Sequence, residues 1–142
     1  MLEEKIIETL FKLAKKSEKN GDFPVSALIT CNNKIISTAY NKREKTHNTI
    51  DHAEIIAIKK ANKKLKTWRL SDCELYVTLE PCEMCKNVIK EARIKTTYYY
   101  LEKSPHKQQY SKSNFIKVNY MKKNQIIAEY IKKISLFFLD KR

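Results

Sequence analysis

His52-Ala53-Glu54 and Pro81-Cys82-Glu83-Met84-Cys85 place one imidazole, two thiols and a separate carboxylate in two stretches about thirty residues apart. One nitrogen and two sulfurs suit zinc, and three protein ligands leave its fourth coordination position open. An open position distinguishes a catalytic zinc from a structural one, because water bound there becomes a nucleophile near neutral pH. With Glu54 beside it to carry protons, the pattern predicts a hydrolytic centre.

Other uses of these residues need weighing. A Cys-x-x-Cys pair alone serves redox exchange or half of a structural zinc site. The redox use competes with a zinc that holds both thiolates, and a suitable histidine is present. A structural site needs a fourth ligand, with Cys73, Cys31, His47 or His106 as candidates. Cys73 precedes a strand and reads as a small buried residue; Cys31 ends a strand and reads as packing. Glu54 has a second reading, because Asp51-His52-Ala53-Glu54 has the spacing of a capping box in which Glu54 reaches back to the cap N–H.

Both motifs fall where a helix is predicted to begin. Pro81 suits a first helical position, where its missing N–H costs nothing. Cys82 and Cys85 then share the first turn, and the positive end of the helix dipole favours their thiolate forms. His52 opens the other helix, so two helix starts facing each other assemble the ligands.

The remaining elements follow from apolar spacing. Leu2, Ile6, Leu10, Leu13 and Ala14 predict an amphipathic helix over 2–19. Residues 25–31 and 34–40 read as strands joined at Asn32-Asn33, a pair that tolerates a left-handed hairpin turn. A polar loop precedes a helix over 51–65, whose first half is apolar nearly all round and so buried. Leu75, Val77 and Leu79 alternate with Tyr76 and Thr78 as a third strand. Met84, Val88 and Ala92 mark a helix, 94–101 a fourth strand and 116–120 a fifth. Ile127, Ile131, Ile134 and Phe138 define a terminal helix. Interleaving of this kind predicts an α/β fold with helices on both faces of one sheet.

A chain of 142 residues fits one domain, here 1–142. No apolar run is long enough to span a membrane, and the first residues lack a secretory signal, so a cytoplasmic protein is expected. Four cysteines, two closely spaced, suit metal binding in a reducing compartment. The net charge of +13 points to a polyanionic partner, although only four of the 29 basic residues are arginine. Ten basic residues face three acidic ones over 101–142, which places a nucleic-acid surface in the last third.

The two half-motifs, in their order and spacing, resemble the zinc-dependent cytidine and deoxycytidylate deaminase superfamily and match its H-x-E…P-C-x-x-C signature. The resemblance covers residues 22–101 clearly and the final helix more loosely. Asp22-Phe23-Pro24-Val25, Tyr40-Asn41-Lys42 and Leu75-Tyr76-Val77-Thr78-Leu79-Glu80-Pro81-Cys82 look most like the bacterial tRNA-specific adenosine deaminases. The ending Leu136-Phe137-Phe138-Leu139-Asp140-Lys141-Arg142 is also similar. The resemblance implies a three-layer α/β/α sandwich around a five-stranded mixed sheet, and a homodimer. It implies one zinc per subunit held by His52, Cys82 and Cys85, with Glu54 shuttling protons from the attacking water to the purine and its leaving amine. Asn41, Val25 and the backbone N–H of Ala53 would contact the substrate, with that of Cys82 also helping to position the reacting atoms. Phe138, Lys141 and Arg142 would contact RNA.

On this resemblance the reaction is adenosine to inosine at the first anticodon (wobble) position, and the partner is a tRNA anticodon stem-loop. The alternatives are deamination of free guanine, cytidine or deoxycytidylate, and a zinc-stabilised RNA-binding module without turnover. Two departures from the family pattern stand out. Ser26 replaces a usual glycine, and the loop over 102–110 contains none.

Overall fold

In the computed structural model, residues 2–102, 115–118 and 125–140 are described. The elements run α1 (Leu2–Lys19), β1 (Ser26–Cys31), β2 (Lys34–Tyr40), α2 (Arg43–Thr46), α3 (Ala53–Leu65), β3 (Cys73–Leu79), α4 (Glu83–Glu91), β4 (Thr96–Leu101), β5 (Phe115–Lys117) and α5 (Gln125–Asp140). One five-stranded sheet has the order β2-β1-β3-β4-β5. β1 is antiparallel to β2 and β3, whereas β3, β4 and β5 run parallel, so the sheet is mixed as expected.

Side chains alternate across the strands and so divide the interior in two. Ala27, Ile29, Leu75 and Val77 face α3 and α4, meeting Ala57, Ile58, Ala61 and Ile89. Leu28, Tyr76 and Tyr100 face the other way, against Ile6, Leu10 and Phe11 of α1 and Ile127, Tyr130 and Ile134 of α5. The result is the α/β/α sandwich. The amphipathic stripes of α1 and α5 and the nearly all-apolar start of α3 find their partners in these layers.

The hairpin forms where the sequence places it. Asn32 and Asn33 take φ of 50° and 63°, the left-handed pair that a two-residue turn matching strand twist requires. Four boundaries differ from expectation. Val25 precedes β1 in a tight turn, its N–H bonded to the Phe23 carbonyl at 2.8 Å. The polar loop after β2 contains the single turn of α2. β4 begins at Thr96, because Arg93 is left-handed (φ 64°) and the Ile94 N–H still closes onto the Ile89 carbonyl. β5 is three residues long; of the expected 116–120, Asn119 and Tyr120 lie outside the described residues, as does 103–110.

Strand direction decides where a site can form. Because β1 is antiparallel to both neighbours, its start lies beside the ends of β2 and β3; Ser26 pairs with Tyr40, and Ala27 with Val77. Val25, Asn41 and the Leu79–Glu80 strand exit therefore share one edge. The same reasoning puts Cys31 opposite Cys73 at the other edge.

Tyr130 of α5 braces the functional edge from below. Its hydroxyl donates to the Pro24 carbonyl at 2.8 Å and lies 3.0 Å from Thr78 Oγ1, while its ring packs edge-on against Phe11. Ser26, fully buried, joins β1 to α1 through an Oγ donation to the Leu10 carbonyl and does not line the cavity described below. Tyr130→Phe keeps the ring but strips a donor from a buried carbonyl, and about 1–2 kcal/mol of stability should be lost. Urea denaturation with an unchanged m-value is the check; unaltered stability would show that the hydroxyl braces nothing.

Candidate active site

α3 and α4 start side by side at this edge. His52 is the N-cap of α3 and Cys82 the N-cap of α4, both extended, with ψ of 149° and 172°. Pro81 therefore sits one residue before the cap and not at the first helical position. Proline there favours an extended Glu80, whose N–H still pairs with the Leu101 carbonyl along the sheet. The chain turns into the helix only at Cys82, and Cys85 follows as the third helical residue.

This placement brings the three ligands together. Cys82 Sγ lies 3.6 Å from His52 Nδ1, and Cys85 Sγ lies 3.4 Å from it. All three donor atoms fall within 4.8 Å of one another, the only such group among the described residues. A tetrahedron with zinc–ligand bonds of 2.0–2.3 Å has edges of about 3.3–3.8 Å, so the His–Cys distances fit. Neither Cys31 nor Cys73 reaches this cluster, and His106 lies outside the described residues.

The electrostatics lead to the same ion. Cys82 is held as a thiolate, its pKa pulled down to about 3 by a hydrogen bond from Cys85 and by His52. Cys85 is pushed far up, because it donates to that thiolate, is fully buried and faces the charge of Glu54. Two thiols and a carboxylate thus share too little positive charge for both sulfurs to ionise. A divalent cation supplies what is missing, and the borderline-soft N/S donor set selects zinc. Cys73 is different: burial and the neighbouring Cys31 push it up to about 12, as an inert core thiol.

Glu54, the second residue of α3 and 4% exposed, lines a cavity of about 310 Å³ together with His52, Ala53, Cys82, Val25 and Asn41. The capping-box reading is not realised. The cap is His52, with no side-chain cap bond. The Asp51 N–H goes to the Asn48 carbonyl, and the Asp51 carboxylate accepts from Thr46 Oγ1 at 2.6 Å. Glu54 instead faces the Cys85 thiol, whose pKa its charge helps to raise. Ala53, fully buried, opens α3, where first-turn N–H groups have no intrahelical acceptor.

Asn41 lies on the cavity wall, yet its amide also fastens loops. Nδ2 donates to the Phe23 carbonyl at 3.1 Å, and Oδ1 accepts from the Arg43 N–H at 3.1 Å. One N–H of the amide and one oxygen lone pair are left over from these bonds. Of the residues expected to contact RNA, Phe138 falls in α5 but its side chain lies outside the described residues, as do Lys141 and Arg142.

Two supports were not evident in the sequence. Asp22, 1% exposed, accepts the backbone N–H groups of Glu44 and Lys45 and so sets α2 over the cavity, where Arg43 and Glu44 join the lining. Lys86, 2% exposed, reaches Glu80 at 2.8 Å and ties the strand exit to α4 on either side of Cys82. A helical lysine reads as solvated, so spacing alone gives no signal for either.

Lys86→Met leaves Glu80 without its buried cation and should cost about 3 kcal/mol, read by denaturant unfolding; a loss under a few tenths would show the pair to be dispensable. Cys85→Ala should lower zinc content well below one per chain by elemental analysis, and chelation should lower the Tm of the unsubstituted protein. Full zinc content in the variant would exclude Cys85 as a ligand.

Comparison with known proteins agrees with the geometry. The profile of the cytidine and deoxycytidylate deaminase zinc-binding region matches residues 2–101. The tRNA-specific adenosine deaminase of Bacillus subtilis is 40% identical over 97 residues, which is 68% of this chain and 60% of that protein. The tRNA-specific adenosine deaminase of Rickettsia bellii is 42% identical over 97 residues, covering 67% of each. Among solved structures, one from a study of A-to-I editing by tRNA:A34 deaminases superposes with a TM-score of 0.67 at 32% identity, over 69% of this chain and 71% of that one. The guanine deaminase of Bacillus subtilis gives 0.66 at 35% identity, over 70% and 64%. The match thus spans less than two thirds of the Bacillus adenosine deaminase, and over the segment that carries the cluster, this chain belongs to the cytidine and deoxycytidylate deaminase zinc-binding family.

Proposed function

We propose that the chain catalyses hydrolytic deamination of adenosine to inosine at the wobble position of a tRNA. The observation that carries the chemistry is Glu54: a buried carboxylate, released from capping, inside the cavity that His52 and Cys82 line. The substrate assignment draws on the likeness to tRNA-specific adenosine deaminases.

His52, Cys82 and Cys85 would hold the zinc. When bound, zinc acts there as a Lewis acid that makes water nucleophilic near neutral pH. Glu54 takes a proton from the water attacking C6 and passes it to the ring nitrogen; a proton then goes to the departing amine. Adenosine and water become inosine and ammonia. The Ala53 and Cys82 N–H groups, at two helix starts, help position the reacting atoms. The free N–H and lone pair of Asn41 orient the nucleoside, and Val25 packs against it. A cavity of about 310 Å³ admits one nucleoside and no duplex, so the base must leave its stack. An anticodon loop offers a base already unstacked.

One deaminase domain over 1–142, a homodimer and a cytoplasmic location belong to the same reading. Among the described residues, no helix is long and apolar enough to cross a membrane. A second reading, deamination of a free base, is favoured by the comparable likeness to guanine deaminase.

Purified protein incubated with total tRNA and, separately, with free nucleosides and bases should yield inosine in the tRNA alone, by mass spectrometry. Activity on a stem-loop should fall steeply with salt. Xanthine from guanine would support the second reading, and inosine in no sample with zinc bound would defeat the proposal. Glu54→Gln should stay folded and zinc-loaded while turnover drops at least about 100-fold; retained turnover would remove Glu54 from the mechanism.

A further inference from the structure

Trp68, the only tryptophan, is 61% exposed, the most exposed of the large apolar side chains among the described residues. Its loop is firmly built. Lys66 ends α3 in the left-handed conformation, Asn62 Nδ2 donates to the Thr67 and Trp68 carbonyls at 3.1 and 3.3 Å, and the Leu70 N–H bonds the Ala92 carbonyl at 2.8 Å. That last bond pins the ends of α3 and α4 together. The ring is therefore presented outward by a fixed backbone and not by a frayed segment.

Two guanidinium groups flank the ring. Arg69 lies 5.7 Å and Arg93 6.0 Å from its centroid. A guanidinium over an aromatic ring spends its flat face on the contact and keeps its N–H edge for anions. Arg93 commits one nitrogen, Nη1, to the Lys90 carbonyl at 3.0 Å, which orders it further. Around them, 59–70 contains six cations and no acidic residue, and residues 63–69 are exposed without a break. The dipole at the end of α3 accounts for Lys63 and Lys64. It gives no reason for Lys66, Arg69 and Arg93, which lie beyond the helices.

We propose that this patch, at the opposite ends of α3 and α4 from the zinc ligands, binds the phosphate backbone of single-stranded or looped RNA, with Trp68 holding two arginines as a phosphate fork. Basic side chains interleaved with an exposed aromatic group are the chemistry by which proteins hold such strands without reading their sequence. α3 separates patch and cavity by about 20 Å, so the contact adds to, and does not overlap, the pocket. The proposal deepens the reading of an RNA-borne substrate and rests on it.

Trp68 reports directly on its own surroundings. RNA stem-loops and short single strands titrated into the protein should change its emission, with labelled-RNA anisotropy measured in parallel. Arg69→Gln/Arg93→Gln should weaken RNA binding about tenfold at 0.1 M salt and flatten the log–log salt dependence by about one to two. Turnover of free adenosine, where present, should not change. RNA binding without any change in emission, or equal affinity and salt slope in the double variant, would overturn the proposal. So would an emission change that follows protein concentration in the absence of RNA, which would make the patch a face between copies. These are binding measurements: if RNA binds at Trp68 but no inosine forms, the reaction assignment falls while the patch stands.

Discussion

Two thiols, one of them fully buried, stand against a single imidazole at the starts of two helices, and they cannot both carry negative charge unless a cation joins them. Most of the site's architecture serves this constraint. The extended caps at His52 and Cys82 turn the donors toward each other. The Glu80–Lys86 pair clamps the strand exit to α4 on both sides of Cys82. The burial that makes Cys85 reluctant to ionise also excludes the water that would otherwise solvate a thiolate. A site so arranged is poorly compensated without its ion, and binding energy for zinc becomes folding energy for the edge of the sheet.

Much of this was legible in the sequence, because it rests on periodicity and ligand chemistry. The alternation in Leu75–Tyr76–Val77 and the i+4 rows in α1 and α5 each meet one face of the sheet, so pattern dictates layer. The left-handed hairpin followed from Asn32-Asn33. Pro81 fits both the first helical position and the position before the cap, which shifts the start of α4 by two residues; only the continued sheet bond of Glu80 selects the second. Glu54 was ambiguous for a similar reason. Its spacing from Asp51 allows a capping box, and the deciding fact lies outside the motif: the Asp51 carboxylate is occupied by Thr46.

What the sequence could not show are contacts between residues far apart that carry no periodic mark. Asp22 supports α2 across more than twenty positions, and Lys86 is buried although its neighbours on α4 give no sign of it. Counting points to the final third, much of which lies outside the described residues, and the described structure presents a basic stretch over the end of α3 and the loop that follows, joined by Arg93 only through the pairing of two loops.

The two helices explain why those features lie at opposite ends. The positive end of the dipole meets His52 and Glu54 on α3 and the two sulfurs, Cys82 and Cys85, on α4, and the negative end meets lysines, Lys63 and Lys64 on α3 and Lys90 on α4. Parallel orientation of α3 and α4 follows from both starting at the same sheet edge. It concentrates anionic ligands around a cation site at one end and exposed cations at the other. The exposed cations thus lie clear of the zinc ligands, while Glu44, Glu54 and Glu80 line the pocket beside Arg43. On the proposed reading, this separation lets a neutral base enter the pocket while its charged backbone stays outside.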